Sequence, residues 1–356
     1  MASGLPTKGE ASAFQVWCRP KSGFARKPEG VGVIFIGKPA APRFTRGVSE
    51  NKHNTAITGS LLLVVFLWGG NNVGTKWLLL NSWTPIWTGG VRFLVAGLIL
   101  LAVLRFTNWL GKFPPLSGGH QRQLWLRGGL SLAAYVVAFC WALKLTATAH
   151  VALYIGASPV WSLLVEERPQ RNWTSARRYA AALLALAGVL VLFWPALKSS
   201  SFNLGGEVCG FLASLAWANF NLQSCLLARE ISGLEVAANA MWMSGVLLLP
   251  LALVEIHARG VALDARHLAV QGFNILLGSV VPYGLWNSAL RHWQTSRVML
   301  FNNLIPLSTA VWAHFCLRES ISSAFWLAMM LIVAGVMLGQ WDWSKYFKPV
   351  KAARPA

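Results

Sequence analysis

Charge is scarce in this chain. Only 12% of its 356 residues are Asp, Glu, Lys or Arg, while 55% are hydrophobic and 19 are Trp. A soluble domain carries roughly 25% charged residues, so the composition points to a polytopic membrane protein. Acid is scarcer still, with 12 Asp and Glu against 31 Lys and Arg and a formal net charge of +19. That excess does not make a nucleic-acid surface, because the cations cluster in the head, the short loops and the tail rather than on a folded polar face. No carboxylate falls mid-span: Glu207, Glu255 and Glu319 stand at span ends, and Glu166, Glu167, Glu230, Glu235, Asp264 and Asp342 in loops or flanks. Proton-driven export of organic cations calls for a buried carboxylate that trades proton for substrate, so that activity is disfavoured. Cys18, Cys140, Cys209, Cys225 and Cys316 form no CxxC pair and read as small buried hydrophobes. P-loop, HExxH and GxSxG motifs are absent, as is any metal-ligand cluster, so neither direct ATP drive nor an embedded hydrolase is supported and no cofactor or metal is expected.

What is present is a series of apolar stretches at about 56–79, 85–104, 128–145, 148–165, 179–195, 206–227, 236–255, 268–290, 297–317 and 323–341. Each approaches the ~20 residues that carry a helix across ~30 Å of hydrocarbon, and helix is the default in lipid. The expected fold is all-α and polytopic, with ten transmembrane helices. The short basic loops orient it. With the N-terminus inside, and with the head counted only from Lys38 onward, nineteen Lys and Arg fall on inner segments and five on outer ones (Lys144, Lys198, Arg259, Arg266, Arg318). Both termini are then cytoplasmic. Residues 1–55 form a basic head with no signal-peptide core. It reads as a disordered cytoplasmic segment or as residues upstream of the true start, a transit peptide being the remaining alternative. A basic tail covers 343–356.

The spans repeat. ALKLTATAHVALYIGASPVW at 142–161 aligns with ALRHWQTSRVMLFNNLIPLS at 289–308 at an offset of 147, placing Thr148 on Thr295, Val151 on Val298 and Pro159 on Pro306. At the same offset Gly188 falls on Gly335, and at 149 Trp68 falls on Trp217 and Asn72 on Asn221. Five spans per copy is odd, so the copies, 56–195 and 203–342, must be inserted in opposite senses, an architecture frequent among secondary transporters. WGGNNVGTK at 68–76, TPIWTGGVRF at 84–93, ASPVWSLLVEE at 157–167 and NNLIPLSTAVWAHFCLRES at 302–320 resemble the drug/metabolite transporter superfamily, in its EamA-type branch. The resemblance implies a secondary transporter of small metabolites in the cell (inner or plasma) membrane. One departure stands out. The family often ends the fourth span with a Glu about thirteen residues past the proline, as Glu319 follows Pro306; in the first half that place holds Asn172, and Glu166 and Glu167 arrive early.

Candidate substrate contacts follow from cost. Polar side chains at membrane depth tend to face a bundle interior or a wet cavity, which selects Asn71, Asn72, Asn221, Asn287, Asn302 and Asn303, each also a plausible inter-helix hydrogen-bonding group. Lys76 either binds substrate or snorkels to the outer interface; Arg92 is deeper. Tyr135, Trp141, Tyr154, Trp217 and Tyr283 are candidate cavity walls or packing groups, and His150 and His314 can titrate near neutrality. Gly70 and Gly74 form a GxxxG that lets backbones approach. The partners expected are a small-molecule substrate, the lipid bilayer and a proton or counter-substrate, with no nucleic acid. A membrane scaffold or receptor is the rival reading, and an embedded enzyme a weaker one. Reporter fusions at both termini are expected to read cytoplasmic; an external signal from the C-terminus would overturn the orientation.

Overall fold

With no water to bond, the backbone of so apolar a chain is satisfied by helix alone. The computed structural model describes residues 45–107, 113, 116–146, 148–166, 172–199, 203–318 and 323–340, and no strand occurs among them. The head to residue 44, Glu167, Glu319, the tail from 341 and the His150 side chain lie outside the described residues. The helices are α1 (Thr45–Leu80), α2 (Pro85–Phe106), α3 (Gly118–Leu145), α4 (Thr148–Glu166), α5 (Trp173–Ser199), α6 (Leu204–Glu230), α7 (Gly233–Arg259), α8 (Ala265–His292), α9 (295–317) and α10 (Ser323–Gln340). Six of them, α1, α2, α3, α5, α7 and α8, are long and apolar enough to cross a membrane. In α4 and α10 the apolar helix is shorter, Leu153–Glu166 and Ala324–Gln340. The chain is a multi-pass membrane protein.

Local chemistry sets the helix ends. Ser117, Asn203, Ser232 and Asp264 each accept a hydrogen bond from a backbone N–H of the helix they precede, satisfying donors that the first turn leaves open. Pro85 starts α2, where its missing N–H costs nothing. Gly260, at φ 72°, ends α7 in a conformation that only glycine adopts easily. Pro306 lies just past a 3₁₀ stretch, Leu300–Leu304, that tightens α9 midway. α3 and α8, counterparts in the two copies, each carry a π-turn, at Leu124–Gly129 and Leu276–Val280.

The distribution of side chains is that of a lipid-facing bundle. Leu62, Phe66, Leu183, Leu251, Val254, Trp326 and Met330 are exposed, while Asn221, Asn274, Asn287 and Asn303 are fully buried. Outward apolar groups meet lipid and the asparagines are withdrawn from it. Asn221 bonds through both its amide atoms, while Asn303 Nδ2 and Oδ1 have no partner among the described residues.

The two copies meet reciprocally. A Cβ on Gly97 would lie 2.8 Å from Trp242 Cα, and one on Gly245 would lie 2.5 Å from Leu94 Cα; both pairs are related by an offset of 148. Likewise a Cβ on Gly188 would meet Ile332 N at 2.9 Å and Ala328 O at 3.0 Å, while one on Gly335 would meet Ala185 N at 2.7 Å and Ala181 O at 2.8 Å. Each contact made by one copy is returned by the other, as a pseudo-two-fold axis requires. On the axis Gly156 faces its own counterpart, Asn303, whose Oδ1 would lie 3.2 Å from a Cβ there.

α4 and α9 cross at that point. α4 packs chiefly on Thr295–Leu304 of α9 and diverges from Ile305–Leu317, so the pair forms a V. Its closed arm points to the end of the bundle that holds the N-terminus of α1, called here the base. There Arg105 Nη2 pairs with Glu235 Oε1 at 3.3 Å and Trp293 Nε1 donates to Asn54 Oδ1 at 3.3 Å. At the opposite end, the mouth, Trp83 Nε1 donates to Ala262 O at 2.6 Å, and His267 places its ring nitrogens 2.7 Å from Asp264 Oδ2 and 2.8 Å from Asn81 O. The His267 backbone N–H, ahead of the other donors, holds the Asp264 carboxyl below its usual value.

Gly97→Leu and Gly245→Leu are each expected to overpack the α2–α7 contact at a cost of about 1–3 kcal/mol, read as a lower melting temperature in detergent. Gly59→Ala, with nothing within 4 Å of the new methyl, is expected to leave it unchanged.

Candidate functional site

The open arm of the V borders a cavity of about 890 Å³ whose lining reaches Leu80, Trp83, Lys144 and Arg259 at the mouth. Its floor is aromatic and drawn from both copies. Trp68 of α1 meets Trp217 of α6 edge-on with ring centres 5.8 Å apart, and Tyr283 of α8 at 5.5 Å. Tyr135 of α3 lies 4.8 Å from Trp217. Trp68 and Trp217 are repeat counterparts, so each copy delivers the same ring to the same place.

Arg92 stands above this floor. Its Nη1 donates to Asn71 Oδ1 at 2.7 Å, and its Cζ lies 4.6 Å from the centre of the Phe93 ring. Asn71 can reach it because Gly278, in the π-turn of α8, leaves the room: a Cβ there would lie 2.5 Å from Asn71 Oδ1. The buried Arg92 Nε finds no partner among the described residues. Asn72 Nδ2 donates to Thr309 Oγ1 across the cavity at 3.2 Å. Asn302, in the 3₁₀ stretch of α9, lines the cavity with both side-chain polar atoms buried and without a partner among the described residues.

Lys76, Lys144 and Arg259 add charge toward the mouth, and the described residues that line the cavity include no Asp or Glu. A cavity so walled has a positive potential and selects for anionic groups. The guanidinium is a donor fork suited to a carboxylate.

Of the residues singled out from the sequence, Asn71, Asn72, Lys76, Arg92, Tyr135, Trp217, Tyr283 and Asn302 line the cavity. The other five lie elsewhere. Trp141 faces outward, 37% exposed, with Lys144 Nζ 4.6 Å from its ring centre. Tyr154 packs on Gly210, and its carbonyl accepts from Ser214 Oγ. Asn221 donates to Trp217 O at 2.7 Å and accepts from Trp286 Nε1, so it ties the rings beneath the floor rather than facing the cavity. Asn287 donates to Tyr283 O at 2.9 Å inside α8, and Asn303 sits on the axis against Gly156. His314 is exposed at α9, 5.2 Å from the Phe315 ring. Gly70 and Gly74 face Trp312 and Asn274, which fits close packing. Thr88, Phe139, Phe193, Thr309 and Trp68 also line the cavity. Among these only Trp68 carried a sequence signal, its repeat pairing with Trp217.

A model of the EamA-like transporter family matches residues 57–194 and again 204–339. This chain belongs to the EamA-like transporter family. The two matches are the two copies that meet about the axis. An "Uncharacterized transporter" of Archaeoglobus fulgidus is 25% identical over 284 residues, 78% of this chain and 95% of the relative. A "Probable amino-acid metabolite efflux pump" of Escherichia coli K12 is 25% identical over 301 residues, 81% of this chain and 96% of the relative. An "Uncharacterized inner membrane transporter YedA" from the same strain is 24% identical, covering 82% and 92%. A solved crystal structure of a protein superposes with a TM-score of 0.66 at 17% identity, covering 80% of this chain and 96% of that one, which shows a shared fold. As an EamA-like transporter the chain implies a small-molecule substrate.

The two asparagines of the repeat pair differ in what they hold. Asn221→Ala strands the buried Trp286 N–H, a loss expected to cost about 1–3 kcal/mol and to lower the melting temperature. Asn72→Ala, at the cavity wall, is expected to leave melting nearly unchanged.

Proposed function

We propose that this EamA-like protein is a secondary active transporter that exports small metabolites, amino acids or related zwitterions and anions, by alternating access. In this reading all ten helices span the cell (inner or plasma) membrane as two inverted five-helix repeats, with both termini cytoplasmic and the mouth facing outward. The observation that carries it is the cavity: large, cationic, built from both copies and lined, among the described residues, from the aromatic floor to the mouth and not to the base. A pseudo-two-fold axis through the α4–α9 crossing gives such a site an alternative state in which the other arm opens. The efflux-pump name of the Escherichia coli relative supports the choice of amino-acid metabolites and of export. Arg92, braced by Asn71, receives the carboxylate; Lys76 draws anions in at the mouth; Asn72 and Asn302 offer hydrogen bonds across the cavity; and Tyr135, Trp217 and Tyr283 take the apolar body. A proton or counter-substrate supplies the drive.

The test is uptake into proteoliposomes of a labelled panel of amino acids and organic acids. A charge-assisted hydrogen bond is worth about 1.5–3 kcal/mol, or about one to two decades in affinity. Arg92→Gln and Lys76→Met are therefore each expected to raise the apparent KM for an anionic or zwitterionic substrate by roughly tenfold or more. Unchanged kinetics in both variants would refute the cationic site.

A further inference from the structure

α9 begins without a cap of its own. Gln294, the residue before it, makes no side-chain bond to the first turn. The open backbone donors are taken instead by the last residue of α4: Thr295 N donates to Glu166 Oε1 at 2.7 Å and Ser296 N to Glu166 Oε2 at 2.8 Å. One carboxylate thus spans two helix-terminal N–H groups, on the positive end of the α9 dipole. The bond crosses between the copies and lies at the base, on the closed arm of the V. Glu166 is the early acidic residue that departs from the family pattern.

The repeat shows what the opposite closure lacks. At the offset of 147, Thr295 corresponds to Thr148, at the start of α4, and Glu166 corresponds to Ala313 of α9. If the V closes at its mouth instead, symmetry brings residue 313 toward the first turn of α4. Ala313 has no oxygen to offer it.

We propose that Glu166 is the latch of the base gate, and that its absence from position 313 biases the resting protein toward the state open at the mouth. This assignment rests on the alternating-access reading of the same cavity. A state can be favoured only by an interaction that differs between the two, and this is such an interaction. Glu166→Gln keeps the length of the side chain and removes the charge, weakening the base closure. Ala313→Glu supplies the missing acceptor at the mouth and strengthens the other. Both substitutions should move the equilibrium the same way.

Two reporter thiols read it, each in the full chain with the five native cysteines replaced by alanine. Ala310→Cys lies in the cavity wall on the open arm. Ser162→Cys is nearly isosteric and lies fully buried on the closed arm, where Ser162 Oγ contacts Met299 Sδ at 2.8 Å. The measurement is the rate of labelling by a hydrophilic maleimide in detergent, without substrate. With Glu166 in place, the Ala310→Cys thiol is expected to react at least tenfold faster than the Ser162→Cys thiol. Glu166→Gln is expected to lower that ratio about tenfold, equal to about 1.4 kcal/mol, and Ala313→Glu to lower it as well. A ratio unmoved or raised by Glu166→Gln in protein that keeps its helical circular dichroism overturns the latch. Should Glu166→Gln not fold, Ala313→Glu decides alone, and an unchanged or raised ratio overturns the proposal. Because no substrate enters the measurement, a failed latch is distinct from a failed transport assay.

Discussion

A hydrogen bond that cannot be made to lipid has to be made inside the protein, and most of this structure is arranged by that rule. The backbone answers it with helices. The side chains answer it by turning inward, so that the outer face is leucine, valine and phenylalanine while asparagines sit at full burial. Helix ends are the hardest case, because four donors or acceptors remain open at each. Here several are closed by the opposite copy: Glu255 Oε2 accepts from Ile86 N at 2.9 Å and Trp87 N at 3.2 Å, and Glu166 does the same for α9. Glu166, Glu207, Glu230, Glu235, Glu255 and Asp264 all stand at or beside helix ends, and no carboxylate is among the described residues lining the cavity.

That placement gives the cavity its character. A guanidinium braced by one asparagine, above a floor of paired rings, is costly to desolvate. No carboxylate among the described residues that line the cavity answers its charge. Under the proposed transport reading, the asymmetry between an aromatic floor and a basic mouth would orient a substrate with its apolar part deep and its charged part at Arg92 or above it.

The fold was legible because its signals are coarse and repeated: apolar runs and a copied motif survive any local irregularity. Trp68 and Trp217 are the best example, since a pair matched by offset turns out to share one contact. The site was legible in part. Arg92, Asn71 and Asn72 stand out because polar groups in an apolar run have few explanations. The same rule misplaced Asn221 and Asn287 as cavity candidates, because a buried asparagine that steadies a neighbouring ring or helix looks identical in sequence to one that faces a cavity. Trp141 and Tyr154 could not be sorted at all, since the rotation of a helix about its own axis is set by packing against neighbours that single-chain periodicity does not reveal. The role of Glu166 depends on a partner 129 residues away, and only its irregular position hinted at it.

The meeting of Gly156 with Asn303 has a consequence for how such a chain can arise. A duplicated gene begins with two identical halves, and nearly every position can keep the same residue in both. A position on the symmetry axis is different, because there a side chain confronts its own twin. Two asparagines at this crossing would contest one volume, and two glycines would leave it empty in the middle of the membrane. At so close an approach geometry favours divergence. Trp68 and Trp217 touch as twins and stay alike, because two rings can meet edge-on; at the tighter α4–α9 crossing the halves became unlike.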